Sequence, residues 1–387
     1  IQKSTQKGSM YRLFHPFIGD GLITGSDHTW RSHRKLIAPM LNGRTLEGYI
    51  DIIQRHTEIF IAKLRPLANG DQFDIGPYLA KCTIDAFCET IMGCRDMNAQ
   101  EGSNQDFLHA SEKMYEIVHS RMMKIWLSPD WMFQLSPAYQ EQKRCHSIKN
   151  FIRKFVGKKK YRNSILEKIL QKLKEDPQAL NDEELRDEIY TVYLASQDTI
   201  SLIGSFTLLM LGIHKDVQEK VRAELLEILG TETIVAGSLS DLKYLEIVIK
   251  ETLRLFPIAP LLVRTLRSDL ALDTCILPGG CDVVIANYIT QRSPRHWKNP
   301  TKFLPERFTA EEVAARHPYA YIPFSGGLMG CIGQKLAIMS LKTIIANVVR
   351  SYRIDSTMRM EDIKLKSDIS IRCINGFNIS LKTFEHS

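Results

Sequence analysis

The sequence lacks the marks of several large protein classes. Its eight cysteines (Cys82, Cys88, Cys94, Cys145, Cys275, Cys281, Cys331 and Cys373) contain no C-x-x-C pair and are too sparse for a secreted disulfide scaffold. A reducing compartment is therefore expected, with Cys82, Cys88 and Cys94 serving as small core residues of a helical region. No uncharged apolar run reaches the roughly 18–20 residues needed to cross a bilayer. The richest run, residues 200–213, reads as a core helix. No glycine motif of the nucleotide-binding kind occurs, so electrons for any redox chemistry must come from another protein. There are no internal repeats and no low-complexity linkers. The formal charge of +7 is neither concentrated nor interleaved with aromatics, which argues against nucleic-acid binding. The run Lys158-Lys159-Lys160-Tyr161-Arg162 reads as a solvated loop.

With 387 residues and 44% apolar content, the chain can bury a large core. Apolar residues recur at helical spacing over 43–67, 84–92 and 107–125. Asp182-Glu183-Glu184 place acids in the first turn of a long helix running to about His214. Further helices are expected over 216–229, stopped by Gly230, and over 240–255, stopped by Pro257. Short apolar runs around Pro278-Gly279-Gly280 read as strands and turns. A final helix is expected over 334–349, followed by a strand pair near 369–379. The expectation is one mainly-α domain with a small β region, spanning residues 1–387.

The most informative stretch is Phe324-Ser325-Gly326-Gly327-Leu328-Met329-Gly330-Cys331-Ile332-Gly333. Its cysteine lies in a glycine-rich loop immediately before a helix, where free backbone N–H groups and the helix dipole favour a thiolate. Glycines let the backbone pass close to a flat, bulky group. A metal held by a single soft sulfur fits haem iron better than zinc or an iron–sulfur cluster. A buried free cysteine is the common alternative, but the pattern Phe-x-x-Gly-x-x-x-Cys-x-Gly would arise by accident in roughly one chain per thousand of this size.

This loop resembles the haem-binding signature of the cytochrome P-450 superfamily. Other motifs follow that family's order: Trp30-Arg31-Ser32-His33-Arg34 for the Trp-x-x-x-Arg helix, Ala195-Ser196-Gln197-Asp198-Thr199 in the central helix, Lys250-Glu251-Thr252-Leu253-Arg254 for Glu-x-x-Arg, and Pro305-Glu306-Arg307-Phe308 before the cysteine. The resemblance implies a mainly-α cytochrome P-450 fold with many helices and a small β region. It also implies that the N-terminal anchor and first elements are absent from this chain, which starts at Ile1 and reaches Trp30 within thirty residues.

By the same resemblance, Cys331 is the axial ligand of haem iron, and Phe324, Gly327 and Gly333 shape its loop. Arg34 and Arg264 bind the haem propionates, with the Trp30 indole N–H as a further donor. Glu251, Arg254 and Arg307 form a buried, paired network that serves folding and haem retention. Thr199 orients dioxygen or a water while Asp198 passes protons from solvent; a hydroxyl back-bonded to its own helix is the alternative for Thr199.

Two positions depart from the family pattern. Met329 stands where arginine or histidine usually contacts a propionate, and Ser196 stands where glycine usually opens a groove for oxygen. The nearest resemblance is to family 4, many of whose members bind haem covalently through a glutamate. Ala195 occupies that position here, so haem b is expected without a covalent link. Ala195, Ile258, Leu261 and Leu262 would border an apolar substrate pocket, suiting a fatty acid, terpenoid, hydrocarbon or xenobiotic. The stretch 107–135, rich in Met and aromatics, is read equally as an access channel or as core.

The implied partners are NADPH-cytochrome P-450 reductase, with cytochrome b5 as a second donor, O2, a small lipophilic substrate, and a membrane for the full-length protein, at the cytosolic face of the endoplasmic reticulum. Arg31, Lys35, Lys335 and Lys342 would form a basic docking face. The rival readings are a haem-thiolate isomerase or dehydratase, a haem-binding protein with weakened or lost catalysis, and a helical interaction module without haem.

Overall fold

The computed structural model describes residues 6–43, 45–145 and 163–384, without the side chains of 105–109. The basic run at 158–162 lies outside the described residues. The principal helices are α1 (Asp27–Ile37), α2 (Thr45–Leu64), α3 (Gly76–Met92), α4 (Gln105–Met123), α5 (Pro137–Cys145), α6 (Ile165–Glu175), α7 (Asp182–Ile213), α8 (Lys215–Leu229), α9 (Lys243–Leu255) and α10 (Gln334–Ser351). Short strands interrupt them: β1 (Phe73–Asp74), β2 (Leu261–Thr265), β3 (Leu270–Ala271), β4 (Ile276–Leu277), β5 (Asp282–Ala286), β6 (Tyr352–Asp355), β7 (Leu365–Ser367), β8 (Ile371–Cys373) and β9 (Asn378–Thr383).

Helix α7 is the axis of the fold. Asn181 caps it by accepting from Glu183 N at 2.9 Å and Glu184 N at 3.0 Å, and the Glu184 carboxylate accepts in return from Asn181 N at 2.8 Å. The helix is long and apolar enough to span a membrane, yet 83% of its most apolar window is buried inside the protein. It packs along α3, α9 and α10. Gly204 makes the α3 contact possible, because a Cβ there would come within 2.6 Å of Leu79 Cδ2. Phe206 stacks on Phe256 at 4.2 Å and meets the edge of Phe377 at 4.8 Å, joining the core to β9.

Two expected elements end differently. The helix expected over 43–67 stops at Leu64 and tightens into a 3-10 turn, Arg65–Leu67, where Pro66 lacks the N–H to continue. The strand pair expected near 369–379 is split: β8 pairs with β7, while β9 joins β6 and β1 with Tyr352 opposite Thr383 and Phe73 opposite Ile379. Gly376, at φ +78°, makes the turn that redirects the chain. A second antiparallel ladder, β2 with β5, sets Arg264 opposite Val283.

Between α2 and α3, buried Glu89 accepts from Arg55 at 2.9 and 3.1 Å, from Arg95 at 2.8 Å, and sits 2.9 Å from His56 Nε2. Burial alone would raise its carboxyl, but the bonds from His56 and Arg55 outweigh that and hold it down at about 2. Nothing in the local sequence announced this cluster.

Candidate active site

The cysteine loop is closed by its own backbone. Cys331 N donates to Phe324 O at 2.9 Å, Gly330 N to Gly327 O at 3.1 Å, and Ser325 N to Ile322 O at 3.0 Å. Gly327 takes φ +67°, which favours glycine, and opens the 3-10 turn Gly327–Met329. Cys331 leaves this turn just before α10, with Gly333 next to the first helical residue. Its thiol is open to solvent although protein surrounds most of it. Burial pushes the thiol upward, while the Gly333 N–H, the Arg34 charge and the Gln334 N–H pull the other way.

Three cations converge nearby. Arg34 donates to Gly330 O at 2.7 Å and lies over the Trp30 ring at 5.4 Å. Arg264 is only 4% exposed, donates to Val263 O at 2.8 Å, and has no acceptor for its Nε among the described residues. Lys7 bridges to Arg264 across the backbone. Burial, then the charges of Arg264 and Arg34, bring its ammonium down to about 7. Among the described residues no carboxylate acts to raise Lys7 or Arg34. Such a cluster is stable only beside an anion that the described residues do not supply. A soft sulfur, a glycine-lined loop and cations for two carboxylates form the donor set that haem requires. Lys7 was missed from sequence because it belongs to no motif.

On α7, Ala195 is exposed and Ser196 and Thr199 partly so, while Leu194, Gln197, Asp198 and Ile200 are buried. Positions i, i+1 and i+4 make one accessible stripe on an otherwise enclosed helix. Both hydroxyls turn back on the helix: Ser196 donates to Val192 O and Thr199 to Ala195 O, each at 2.7 Å. Asp198, 6% exposed, accepts from Ser370 at 3.0 Å and from Arg372 at 2.7 Å. Arg372 sits over the Tyr115 ring at 5.5 Å and 3.8 Å from Asp368, which pairs with Lys366 at 3.0 Å and with His119 at 3.7 Å. The β7–β8 hairpin thus holds the α7 carboxylate. The charged residue inside the apolar run Ile369-Ser370-Ile371-Arg372 was the available signal.

The other expected residues are placed as follows. Arg254 donates to Glu251 at 2.7 and 2.8 Å and to the carbonyls of Gln291, Pro300 and Lys302 at 2.9, 2.7 and 3.1 Å. Arg307 Nε lies 3.4 Å from Glu251. Ile258 O accepts from Ile371 N at 3.2 Å, tying the apolar segment to the hairpin. On β2, Leu262 is 8% exposed and Leu261 51%, and successive strand positions face opposite ways. Lys342 is corrected: it is buried, bonded to Glu246 at 2.6 Å and Leu239 O at 2.8 Å, and leaves the basic face. Arg31, Lys35 and Lys335 remain exposed, and Arg31 and Lys35 rim a depression of about 740 Å³ that also touches Trp30 and Leu328.

Helix α1 is tied to α7 by a buried pair, His33 Nδ1 to Glu188 at 2.7 Å, with Glu184 4.0 Å from the other ring nitrogen. Burial would lower His33, but the bond and charge of Glu188, then Glu184 and Asp20, raise it above 6.5. Burial raises Glu188 too, against the pull of His33 and with a push from Asp187. The folded state therefore holds protons that the unfolded chain has released. The His33 contribution is complete below its unfolded value near 6.5 and fades as pH rises through its folded value. The Glu188 shift acts in the same direction. Thermal midpoints should fall from pH 6 to pH 8, and His33→Gln should flatten that slope; an unchanged slope in the variant would contradict it.

The Cytochrome P450 family model matches residues 2–375. Cytochrome P450 4c3 of Drosophila melanogaster is 34% identical, over 98% of this chain and 76% of its own length. Cytochrome P450 4V2 of Homo sapiens is 33% identical, over 98% and 77%. The crystal structure of a cytochrome P450DA mutant heme domain superposes with a TM-score of 0.87 at 19% identity, covering 99% of this chain and 85% of that one. With its cysteine loop, its cation cluster and these relatives, the chain belongs to the cytochrome P450 family and is a haem-dependent monooxygenase that holds haem b without a covalent link.

Proposed function

We propose that this monooxygenase acts on a lipophilic substrate of the fatty acid, terpenoid, hydrocarbon or xenobiotic class, with electrons from NADPH through a separate reductase and cytochrome b5 as a second donor. The observation that carries the haem assignment is the Cys331 thiol beside the otherwise unneutralised trio Lys7, Arg34 and Arg264. Haem bound there supplies the oxygen-activating chemistry, favoured by a thiolate ligand. The chain's own part is positional. Thr199 and Asp198 stand next to each other on α7, and we assign them proton handling: Arg372 and Ser370 hold the Asp198 carboxylate, and the Thr199 hydroxyl exchanges its Ala195 bond for a water or the incoming oxygen. Ala195, Ile258 and one face of β2 supply apolar surface for substrate. Arg31, Lys35 and Lys335 are the surface we assign to the acidic flavoprotein. Residues 1–387 act as one domain in this reading, supported by the core that runs from Leu13 to Leu381.

The deciding experiment is the reduced, carbon-monoxide difference spectrum of the expressed protein, then NADPH-dependent turnover with reductase over a panel of apolar substrates. Loss of the thiolate-type band would sink the haem assignment; turnover without NADPH would sink the electron route.

Lys7 is assigned the propionate contact that Met329 cannot make. Lys7→Met should speed haem transfer to apomyoglobin roughly tenfold, the loss of one charge-assisted bond. Met329→Arg should slow it and should rescue Lys7→Met. Equal transfer rates in all three proteins would remove Lys7 from this role.

The endoplasmic reticulum membrane is the proposed location. Met123, Ile125, Trp126, Trp131 and Leu135 are exposed within thirteen residues, beside Lys124, a composition suited to a lipid interface. Trp126→Ser with Trp131→Ser should weaken binding to phospholipid vesicles about tenfold or more. Unaltered cosedimentation would argue that this patch faces something else.

A further inference from the structure

The loop-rich segment between β5 and the cysteine loop folds around Trp297 and gathers a second concentration of positive charge. A hollow of about 270 Å³ opens here. Arg295, Lys298, Arg307 and Arg316 line it against a single carboxylate, Glu312, with two histidines alongside. Arg295 and Lys298 are exposed and make no ion pair among the described residues. Arg316 gives one bond to Arg307 O at 2.9 Å and stacks on the Trp297 ring at 4.2 Å. Arg307 lies 3.4 Å from Glu251, and the charges of Glu251 and Glu312 also act on Arg316.

A second observation is independent of charge. Trp297 is 2% exposed and lines the hollow, and its Nε1–H has no acceptor among the described residues. A covered donor without a partner is costly. A water could satisfy one donor, but it would leave the excess charge untouched. Burial also pulls Arg307 and Arg316 below the usual arginine range, although Glu251 and Glu312 pull the other way.

We propose that this hollow is an oxyanion site that takes a phosphate group. Four cations on a hollow whose wall carries one carboxylate favour a dianion over a single carboxylate, and guanidinium forks match phosphate oxygens geometrically. The volume admits a phosphate with a short ester stem. Because Arg307 also serves Glu251, occupancy should stiffen the segment that precedes the cysteine loop. The proposal does not rest on the substrate reading above.

The test uses the haem-loaded protein and inorganic phosphate, with sodium chloride at matched ionic strength as control. The expected result is a saturable shift of one indole N–H cross-peak, identified by its loss in Trp297→Phe, together with a higher thermal midpoint. Lys298→Gln and Arg295→Gln, both at exposed positions, should each weaken the response roughly tenfold; Lys172→Gln, on the surface of α6, should not. Adenosine monophosphate and phosphatidic acid vesicles separate the sources: a tighter response to the first identifies a soluble phosphate ester, to the second a lipid headgroup. An indole peak that stays still, or that chloride moves equally, overturns the site.

Discussion

Cys331→Ala is expected to yield a folded protein with no thiolate signature and no oxygenase turnover. The side chain is open to solvent and fills no part of the core, so its removal leaves no cavity of the kind that destabilises. The loop around it is held by backbone bonds, from Cys331 N to Phe324 O and from Gly330 N to Gly327 O, which alanine retains. Circular dichroism should therefore match the parent. The sulfur itself has no substitute, since the described residues contain no cluster of His, Cys, Asp or Glu able to hold a metal. Turnover should fall at least about a thousandfold, ~4 kcal/mol of barrier. Some haem should still bind, because Lys7, Arg34 and Arg264 grip the carboxylates and not the iron. A visible spectrum unaltered by the substitution would overturn the assignment of the ligand.

Legibility from sequence followed the distance over which each feature is made. Cys331 and its glycines, Trp30 with Arg34, and Glu251 with Arg254 are local spacings on a loop or one helix face, so a pattern of a few residues carries them. The long helix α7 was equally plain, because its acidic first turn at Asp182-Glu183-Glu184 precedes a long apolar stretch. What escaped was pairing across the fold. Asp198 meets Arg372 across 174 positions, and Lys342 is drawn inward by Glu246 across 96. An amphipathic pattern shows which side of a helix is apolar, not which buried lysine has found an acid. Lys7 lay beyond reach for the same reason: its ammonium is lowered by burial, then by Arg264 and Arg34, surroundings that exist only after β2 folds against the N-terminal segment. The split of β8 from β9 was hidden because period-two alternation marks a strand without naming its partner.

Arg254→Met is expected to remove most of the folded protein. Arg254 is fully buried, and its donated N–H groups go to both Glu251 oxygens and to three carbonyls drawn from Gln291 to Lys302. Methionine fills similar volume, so the loss is electrostatic. It strands the Glu251 carboxylate, whose remaining contacts are Leu304 N at 2.9 Å and the longer approach of Arg307 at 3.4 Å. Removing one member of a buried pair typically costs about 3–5 kcal/mol, against a total margin of roughly 5–15 kcal/mol. Arg254→Lys should fare little better, because an ammonium cannot span two carboxylate oxygens and three carbonyls at once. Arg307→Gln should be far milder, about 1 kcal/mol, since its side chain is partly exposed and its hydrogen bond to Asn299 O, at 2.7 Å, reaches a surface carbonyl. Urea midpoints order the three variants, and amide exchange at Leu304 locates the damage. Equal midpoints for Arg254→Met and Arg307→Gln would mean that the buried fork does not carry the stability assigned to it, and that shape alone holds the segment ahead of the cysteine loop.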